Sequence, residues 1–403
     1  MVIRLSLKKI RRVTLGLILL LGVGFIGYQL GLRRSLPQTP VKEADLSLFW
    51  LTWRRLEEKY LDREALDPKK MVEGAIAGMV SSLGDPYTVF LPPADNKVNK
   101  EDLSGEFGGV GIQLGYKNKT LAVIAPLKGT PADRAGIKAG DLIIRIKDDL
   151  KKIDRETEGI SLPEAVKLIR GQEGTVVKLT LVREGVEKPF EVAITRGKIL
   201  IPALESKWLD QEGGQIAYVH LFQFSERMNQ EWRQWVQEVV RTKNRGQLRG
   251  VILDLRNNPG GYLQGAVFVA SEFLPLGKVV VWEEDYRGQK TKFSVDRPGD
   301  LLEVPLVVLI NQGSASAAEI LAGALQDYQR AQIVGQKSFG KGTIQSPEEL
   351  PQGAGLHITI ARWLLPSGRS INKEGIEPDV VVEASESAKI EKDLILEKAI
   401  DLL

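Results

Sequence analysis

The chain has 403 residues, and its 55 lysines and arginines against 52 aspartates and glutamates give a formal net charge of +3. Seven basic and no acidic side chains lie in the first 34 residues, so the rest is acidic overall and is not expected to bind nucleic acid. The lack of cysteine excludes disulfides and thiol chemistry. Two distant histidines without a His-Glu-x-x-His motif argue against a catalytic zinc, and no cofactor is predicted.

The first predicted element is a membrane anchor. Residues 13–32 are nearly uncharged and mostly apolar, which is long enough for a helix across about 30 Å of hydrocarbon. The preceding segment, residues 1–12, is basic, so the positive-inside tendency predicts a cytoplasmic N-terminus. No small-residue cleavage site stands out, which favours a retained signal anchor over a cleaved signal peptide. The prediction is a single-pass membrane protein with its remaining chain in the periplasm, the thylakoid lumen or the cell exterior.

A short linker, residues 33–42, leads into a region that is predicted to be mainly helical, residues 43–100. Apolar side chains cluster at residues 46–53 and again, among alanines and glycines, at 71–80. Gly-Asp-Pro at 84–86 then ends the helical pattern. Core packing is the default explanation of these clusters, and a homodimer interface is an open alternative.

Residues 101–196 have a composition of their own, with a glycine-rich stretch followed by an alternating segment. Glycines let a loop turn its amides inward, where they can hold the terminal carboxylate of a peptide. The alternating segment can form a sheet edge on which an extended tail pairs as one more strand. The predicted peptide-binding residues are Gly108, Gly109, Val110, Gly111 and Ile112.

Residues 197–384 alternate between strand and helix patterns, which predicts an α/β core: a mixed sheet with flanking helices. The strand runs lie at residues 216–220, 251–255, 279–281, 304–310 and 357–363. The final segment, residues 385–403, is predicted to form a C-terminal helix.

Two motifs of the core supply a serine and a lysine. A serine hydroxyl is a weak nucleophile until a base removes its proton, and with so few histidines we expect that base to be Lys341. An amine becomes a base when burial lowers its pKa from about 10.4 to roughly 7 or 8. The uncharged neighbours Phe339 and Ile344 are expected to provide that burial. Gln345 lies four residues on, on the same face of a helix or strand, and is expected to orient the amine.

The candidate nucleophiles are Ser314 and Ser316. Ser316, followed by Glu319 and an apolar run, also fits a capping box at the start of a helix. The two roles are compatible, because the next backbone N–H, that of Ala317, would be free to face a developing oxyanion. The residues alone do not choose between the two serines.

Further oxyanion donors are predicted in the turn that follows the apolar run 251–255. Gly260 and Gly261 end an Asn-Asn-Pro-Gly-Gly sequence, in which backbone amides can point at a ligand. A Pro-Gly-Gly sequence by itself is most often only a turn. Its assignment to an active site therefore depends on the serine and the lysine.

These motifs resemble those of the carboxy-terminal processing proteases, or tail-specific proteases, a family of Ser/Lys endopeptidases with an embedded PDZ domain. The resemblance rests on Ser-Ala-Ser-Ala at 314–317, Phe-Gly-Lys-Gly at 339–342 and a glutamine four residues after the lysine. The family spacing matches when the second serine is the nucleophile, so the resemblance selects Ser316. Ala318 departs from relatives that carry a small hydroxyl residue there, and residues 101–196 resemble a PDZ domain.

The resemblance implies an α/β protease core of the crotonase/Clp-like kind with an inserted PDZ domain. Together with the anchor predicted from residues 13–32, it implies a membrane-anchored serine endopeptidase that processes or degrades exported or membrane proteins by their C-terminal tails. Ser316 would attack the peptide carbonyl, Lys341 would act as general base and Gln345 would orient the lysine. Arg170 is a further candidate, for signalling PDZ occupancy to the active site, although the helix dipole already accounts for a basic residue in a last helical turn.

Two other functions stay open. The chain could be a non-catalytic adaptor whose PDZ domain presents substrates to another protease. It could also be a different hydrolase that uses the same Ser/Lys pair on an amide or ester. Cleavage of peptides, compared with cleavage by a variant lacking the Ser316 hydroxyl, separates these functions from the protease.

Overall fold

The computed structural model describes residues 44–382 and 393–403, in two compact units that divide near residue 72. The first unit contains helix α1 (Ser47–Lys59), a 3-10 turn (Arg63–Ala65) and the beginning of helix α2 (Pro68–Ser81). Asp67 caps α2, because its carboxylate accepts hydrogen bonds from the N–H groups of Lys69 and Lys70. Helix α1 exposes apolar side chains, among them Leu48, which is 73% exposed.

In the second unit the rest of α2 is followed by strand β1 (Val89–Leu91) and helix α3 (Pro93–Ser104), which ends at Gly105 in the left-handed conformation with φ 74°. Helix α3 leads along the chain into a β-rich region. Its elements are β2 (Glu106–Gly109), β3 (Ile112–Lys117), β4 (Thr120–Pro126), α4 (Pro131–Arg134), β5 (Leu142–Asp148), β6 (Ile153–Glu156), α5 (Leu162–Ile169), β7 (Val176–Val182), β8 (Phe190–Thr195) and β9 (Gly197–Leu200).

This region has its own sheet and core. The strand order is β3-β4-β5-β7-β8, with β6 paired to β5 and a separate β2–β9 ribbon, so β3 is an edge strand beside α5. The fully buried core includes Leu121, Ile143 and Leu179. A buried ion pair between Arg196 and Asp148, 2.7 Å long, also fixes the end of α5, because Arg196 donates to the carbonyl of the last helical residue.

The remaining chain forms the α/β core. Its strands are β10 (Leu204–Gln211), β11 (Gly214–Leu221), β12 (Leu248–Asp254), β13 (Val279–Asp285), β14 (Lys290–Ser294), β15 (Leu306–Ile310), β16 (Gln332–Gly335), β17 (Thr343–Glu349), β18 (Gly355–Leu364) and β19 (Val380–Val381). Its helices are α6 (Met228–Asn244), α7 (Leu263–Phe273), α8 (Ala317–Asp327) and α9 (Leu394–Asp401), with a 3-10 turn at Pro351–Gly353.

The central sheet has the order β10-β11-β12-β15-β16-β19, and every pair except β10–β11 is parallel. Helices cover both faces, with α6, α7 and α8 on one side and α9 on the other, which explains the continuous apolar strands. A second sheet is built around β18, which pairs with β1, β13 and β17. The parallel strands β11, β12, β15 and β16 all end at the same edge, where open α/β sheets bind ligands.

The predicted mixed α/β core, PDZ-like region and N-terminal helical segment agree with this architecture. The transmembrane anchor and the single-pass membrane topology do not, and both are corrected. No helix in residues 44–382 and 393–403 has the length and apolar character needed to cross a bilayer. Residues 13–32, where the anchor was predicted, lie outside the described residues, as do the predicted basic segment and linker.

The C-terminal helix α9 is fixed to the carboxyl end of β12 by an ion network. Arg256 donates to Asp254 from Nε at 2.9 Å and to Asp393 from Nη1 and Nη2 at 2.8 Å. Asp254 is fully buried and also accepts from the Tyr218 hydroxyl at 2.7 Å. Asp393 is the N-cap of α9, where it accepts from the N–H of Leu396. The network therefore holds the α9 side of the sheet beside the loop that follows β12.

Replacing Asp393 with alanine removes both the helix cap and the partner of Arg256. We expect the free energy of unfolding to fall by about 1–2 kcal/mol at neutral pH, measured by urea denaturation. Asp401→Ala, an exposed position in the same helix, is the matched control and should change the stability little. An equal effect of the two substitutions would contradict the prediction.

The stability contributed by the ion pair of Arg256 and Asp393 has a predictable pH dependence. Burial alone would raise the pKa of Asp393, but hydrogen bonds from Arg256 and from backbone N–H groups hold it below its ordinary value of 3.8. The carboxylate therefore stabilises the fold above that value, and the contribution is lost as the pH falls through the lower pKa of the folded state. The difference in stability between wild type and Asp393→Ala should accordingly shrink in acid.

Candidate active site

The turn between β15 and α8 carries the two candidate serines. Ser316 is the residue before α8 and has φ 56° and ψ −117°, a conformation that costs energy for a residue with a side chain. Its N–H donates to the Glu319 carboxylate at 2.8 Å, as the predicted capping box requires. Its side chain is half-buried and stands at the edge where the parallel strands end.

The side chain of Ser314 stabilises the backbone of this turn. It is fully buried, its hydroxyl donates to the carbonyl of Leu255 at 2.8 Å, and it accepts from the N–H of Asn311 at 3.0 Å. These bonds tie the turn to the neighbouring strand end. Ser316, by contrast, is only half-buried and its capping contacts lie within the start of its own helix, so its side chain is the more accessible of the two.

The glycine turn after β12 packs directly against Ser316. An added Cβ at Gly260 would lie 2.7 Å from the Ser316 Cβ and 3.0 Å from the Ala317 nitrogen, so only glycine allows this approach. The Gly260 N–H donates to the side chain of Asn258 at 2.9 Å, so the structure does not leave this predicted oxyanion donor free. In the described part of the chain, no acceptor faces the N–H groups of Gly261 and Ala317.

Lys341 lies in the loop between β16 and β17, and its amine faces an aromatic ring. The Nζ atom is 4.8 Å from the centre of the Tyr87 ring. Burial lowers the pKa of Lys341, while the negative charges of Asp85 and Glu319 oppose that shift. The burial of the amine that was expected from its uncharged neighbours is only partly present: Ile344 is half-buried, but Phe339 is 58% exposed. The sequence alone does not predict that Tyr87 and Asp85 belong to the site.

Glu319 connects the serine turn to the lysine loop. Its side chain is fully buried and accepts four hydrogen bonds. One oxygen accepts from the N–H groups of Ser316 (2.8 Å) and Lys341 (2.9 Å), and the other from the N–H of Gly340 and the hydroxyl of Ser338, both at 2.6 Å. The sequence suggested Glu319 only as a helix cap, since nothing local predicts the contacts to residues 338–341.

Gln345 lies on β17, where two threonines hold its amide. Its Nε2 donates to the hydroxyl of Thr343 at 2.9 Å and to that of Thr359 at 3.2 Å. Thr359 is connected in turn to Thr88, whose hydroxyl accepts the Thr359 N–H at 3.0 Å and donates to Asp85 at 2.7 Å. The glutamine therefore belongs to a polar network that reaches the same Asp85 that acts on the lysine.

The three predicted catalytic side chains lie on adjoining segments, but the structure shows no hydrogen bond between them in the described part of the chain. Throughout residues 44–382 and 393–403, no hydrogen bond joins the Lys341 amine to the Ser316 hydroxyl or to Gln345. Catalytic hydrogen bonds are often long or absent until substrate binds. The same described residues contain no group of three or more His, Cys, Asp and Glu side chains that could hold a metal.

Two depressions border the site and the β-rich region. A groove of about 700 Å³ runs between α3, the loop at 171–173 and the core residues Tyr262 and His357. A smaller cavity of about 90 Å³ lies between β3 and α5. The predicted peptide-binding residues Gly109, Val110, Gly111 and Ile112 line this smaller cavity, whereas Gly108 lines the larger groove.

Arg170 lines the smaller cavity and packs against Phe107. Its guanidinium carbon lies 3.8 Å from the centre of the Phe107 ring, and Nη1 forms an ion pair with Asp102 of α3 at 2.9 Å. Its Nε is buried without an acceptor in the described part of the protein. Phe107 lines both the cavity and the groove, so Arg170 packs on a side chain that the two depressions share.

Comparisons with known proteins agree with this layout. Three family descriptions match in chain order: the activating protease CtpB N-terminal domain (residues 37–94), the PDZ domain (97–182) and peptidase family S41 (215–382). The carboxy-terminal-processing protease of Bartonella bacilliformis is 40% identical over 318 residues, which is 79% of this chain and 70% of that protein. The carboxyl-terminal-processing protease of Picosynechococcus sp. is 38% identical over 361 residues, 87% of this chain and 83% of that protein.

A solved structure supports the same architecture. The putative S41 protease from Bacteroides fragilis superposes with a TM-score of 0.54 over 86% of this chain and 92% of its own, at 17% identity, a likeness that speaks for the fold alone. The relatives that are at least 38% identical, together with the matched S41 and PDZ segments, establish the family. The chain belongs to the carboxy-terminal processing proteases of peptidase family S41, serine-type peptidases, and carries a PDZ domain.

Proposed function

We propose that this protein is an endopeptidase that uses Ser316 as nucleophile and Lys341 as general base, and that it selects substrates by their C-terminal tails. The observation that carries the proposal is the buried Glu319 carboxylate, which binds the backbone N–H groups of both Ser316 and Lys341. Two segments 25 residues apart are thereby held side by side at the ligand-binding edge of the sheet.

In the proposed reaction the neutral amine of Lys341 takes the proton of the Ser316 hydroxyl as the oxygen attacks the peptide carbonyl. The N–H groups of Gly261 and Ala317 are the proposed donors to the oxyanion, since both lack another acceptor in the described chain. The lysine then gives its proton to the leaving amine. Water, activated by the same amine, releases the acyl group and restores the serine.

The proposed role of Gln345 is to orient the lysine. Its amide nitrogen already donates to Thr343 and Thr359, so its carbonyl oxygen is available to accept from the amine. A neutral orienter suits this chemistry, because a carboxylate in contact with the amine would favour the ammonium form.

Tail recognition is proposed for the cavity between β3 and α5. The loop at 109–112 would hold the terminal carboxylate, and the edge strand β3 would pair with the extended tail. Such pairing needs free backbone, so the substrates would be unfolded near their C-termini. The domain division at residues 43–100, 101–196 and 197–384, and a homodimer through the exposed apolar side chains of α1, remain proposals.

Ser316→Ala and Lys341→Met test the chemistry directly. We expect each to lower kcat/KM for a tail peptide by at least about 1,000-fold, because nucleophile and base act as one unit. Lys337→Met, which removes a surface lysine of the same loop, is the matched control and should keep the wild-type rate. Equal peptide cleavage by wild type and Ser316→Ala would instead favour the non-catalytic adaptor.

The pH–rate profile tests the state of the amine. Because only neutral Lys341 accepts a proton, kcat/KM should rise with pH through the lysine pKa, which burial sets below its ordinary value of 10.5. The Asp85 carboxylate raises that pKa, so Asp85→Asn should move the acid limb to lower pH. Asp95→Asn on α3 serves as control. A limb that moves to higher pH in Asp85→Asn would refute the assignment.

The proposed link between tail binding and catalysis is tested at Arg170. We expect Arg170→Ala to reduce the activation of peptide cleavage by an added tail peptide at least about fivefold, since coupling between sites is typically of that size or larger. Arg145→Ala is the control: it removes an exposed arginine of the same region, which is paired with Asp154, and it should leave activation by the tail peptide intact. Undiminished activation in Arg170→Ala would dispose of the link.

A further inference from the structure

The large groove beside the active site has a distinctive distribution of charge. Each lysine in its lining is paired with a carboxylate of the same lining: Lys97 with Glu101 at 3.8 Å, Lys100 with Glu349 at 2.6 Å and Lys198 with Glu106 at 2.7 Å. The positive charges of the groove are therefore already neutralised from within. A carboxylate of the lining that is not paired with one of these lysines is available to a positively charged group of a bound ligand.

Glu226 is such a carboxylate. It lines the groove, is exposed, and forms no ion pair with any residue in the described ranges. Tyr262 is 38% exposed and follows Gly261 directly, and burial together with the nearby Glu226 carboxylate raises the pKa of its hydroxyl. A carboxylate and an accessible aromatic ring thus stand together in the groove, one residue away from a proposed oxyanion donor.

The backbone fixes this pair relative to the site of chemistry. The N–H of Phe224 donates to the carbonyl of Gly260 at 2.9 Å, and the N–H of Tyr262 donates to the carbonyl of Phe224 at 2.8 Å. A Cβ at Gly261 would lie 2.3 Å from that Phe224 oxygen, so the two segments are in close backbone contact. These contacts join the start of the loop that carries Glu226 to the Gly260–Tyr262 turn.

We propose that Glu226 and Tyr262 form a subsite for a basic side chain of the substrate, a lysine or an arginine within a few residues of the scissile bond. The proposal rests on the proposed peptidase function and adds a substrate preference to it. The carboxylate supplies an ion-pair partner, and the tyrosine ring supplies a face on which an ammonium or guanidinium group packs. Because the pair is fixed to the oxyanion turn, a bound cation would set the register of the chain across Ser316.

The test uses pairs of peptides that share one tail and one cleavage site and differ only in lysine against norleucine, which has the same carbon chain without the charge. The substitution is scanned over four positions on each side of the cleaved bond. For the wild type we expect kcat/KM to favour lysine at one position by about fivefold, decreasing as salt is added. In Glu226→Gln the ratio should fall towards one.

Two further variants separate the carboxylate from the ring and from the general charge of the groove. Tyr262→Leu removes the aromatic face and should reduce the ratio, whereas Tyr262→Phe keeps the face and should retain more of it. Glu173→Gln, at an exposed glutamate elsewhere in the groove lining, should keep the wild-type ratio. An equal loss of the lysine preference in Glu173→Gln would overturn the subsite, because it would show that the preference comes from the overall negative charge of the groove.

The absence of a lysine preference at every scanned position, in a wild type that cleaves the norleucine peptides, would overturn the subsite while the peptidase function stands. A wild type that cleaves neither peptide faster than Ser316→Ala would overturn both. The norleucine series therefore distinguishes the two failures.

Discussion

The buried carboxylate of Glu319 is the constraint on which the candidate active site depends. A charged group without solvent contact is tolerated only when its oxygens are fully hydrogen-bonded, and here four donors meet that requirement. The donors come from both the serine turn and the lysine loop, so the cost of burying the charge is offset only while the two segments stay together. The position at the start of α8 adds the favourable helix dipole.

The sheet provides the frame for that interaction. Loops after β11, β12, β15 and β16 supply the candidate subsite, the oxyanion turn, the serine and the lysine, because parallel strands end at a common edge. Asp254, at the end of β12, is held by Arg256 and Tyr218, which fixes the strand end from which the glycine turn departs. The turn can then approach Ser316 as closely as a residue without a side chain allows.

The sequence predicts the mixed α/β core, because strand runs and glycine turns are local features, and its motifs and their spacing are what single out Ser316, Lys341 and Gln345 as catalytic candidates. It misses what depends on distant pairing. Tyr87 and Asp85 lie about 250 residues before Lys341, and no local pattern marks their contact with it. The engaged N–H of Gly260 and the structural bonds of Ser314 likewise require the folded backbone. The apolar stretch at 13–32 suggested an anchor from hydropathy alone.

The Tyr87 ring affects the two protonation states of Lys341 differently. Packing a ring against the amine excludes water, which disfavours the ammonium form, but the face of the ring attracts a cation and not a neutral amine. Loss of the proton therefore also weakens the contact between the amine and the ring. Under the proposed mechanism, deprotonation both creates the base and frees it from the ring, so a resting geometry without a Ser–Lys hydrogen bond is consistent with catalysis.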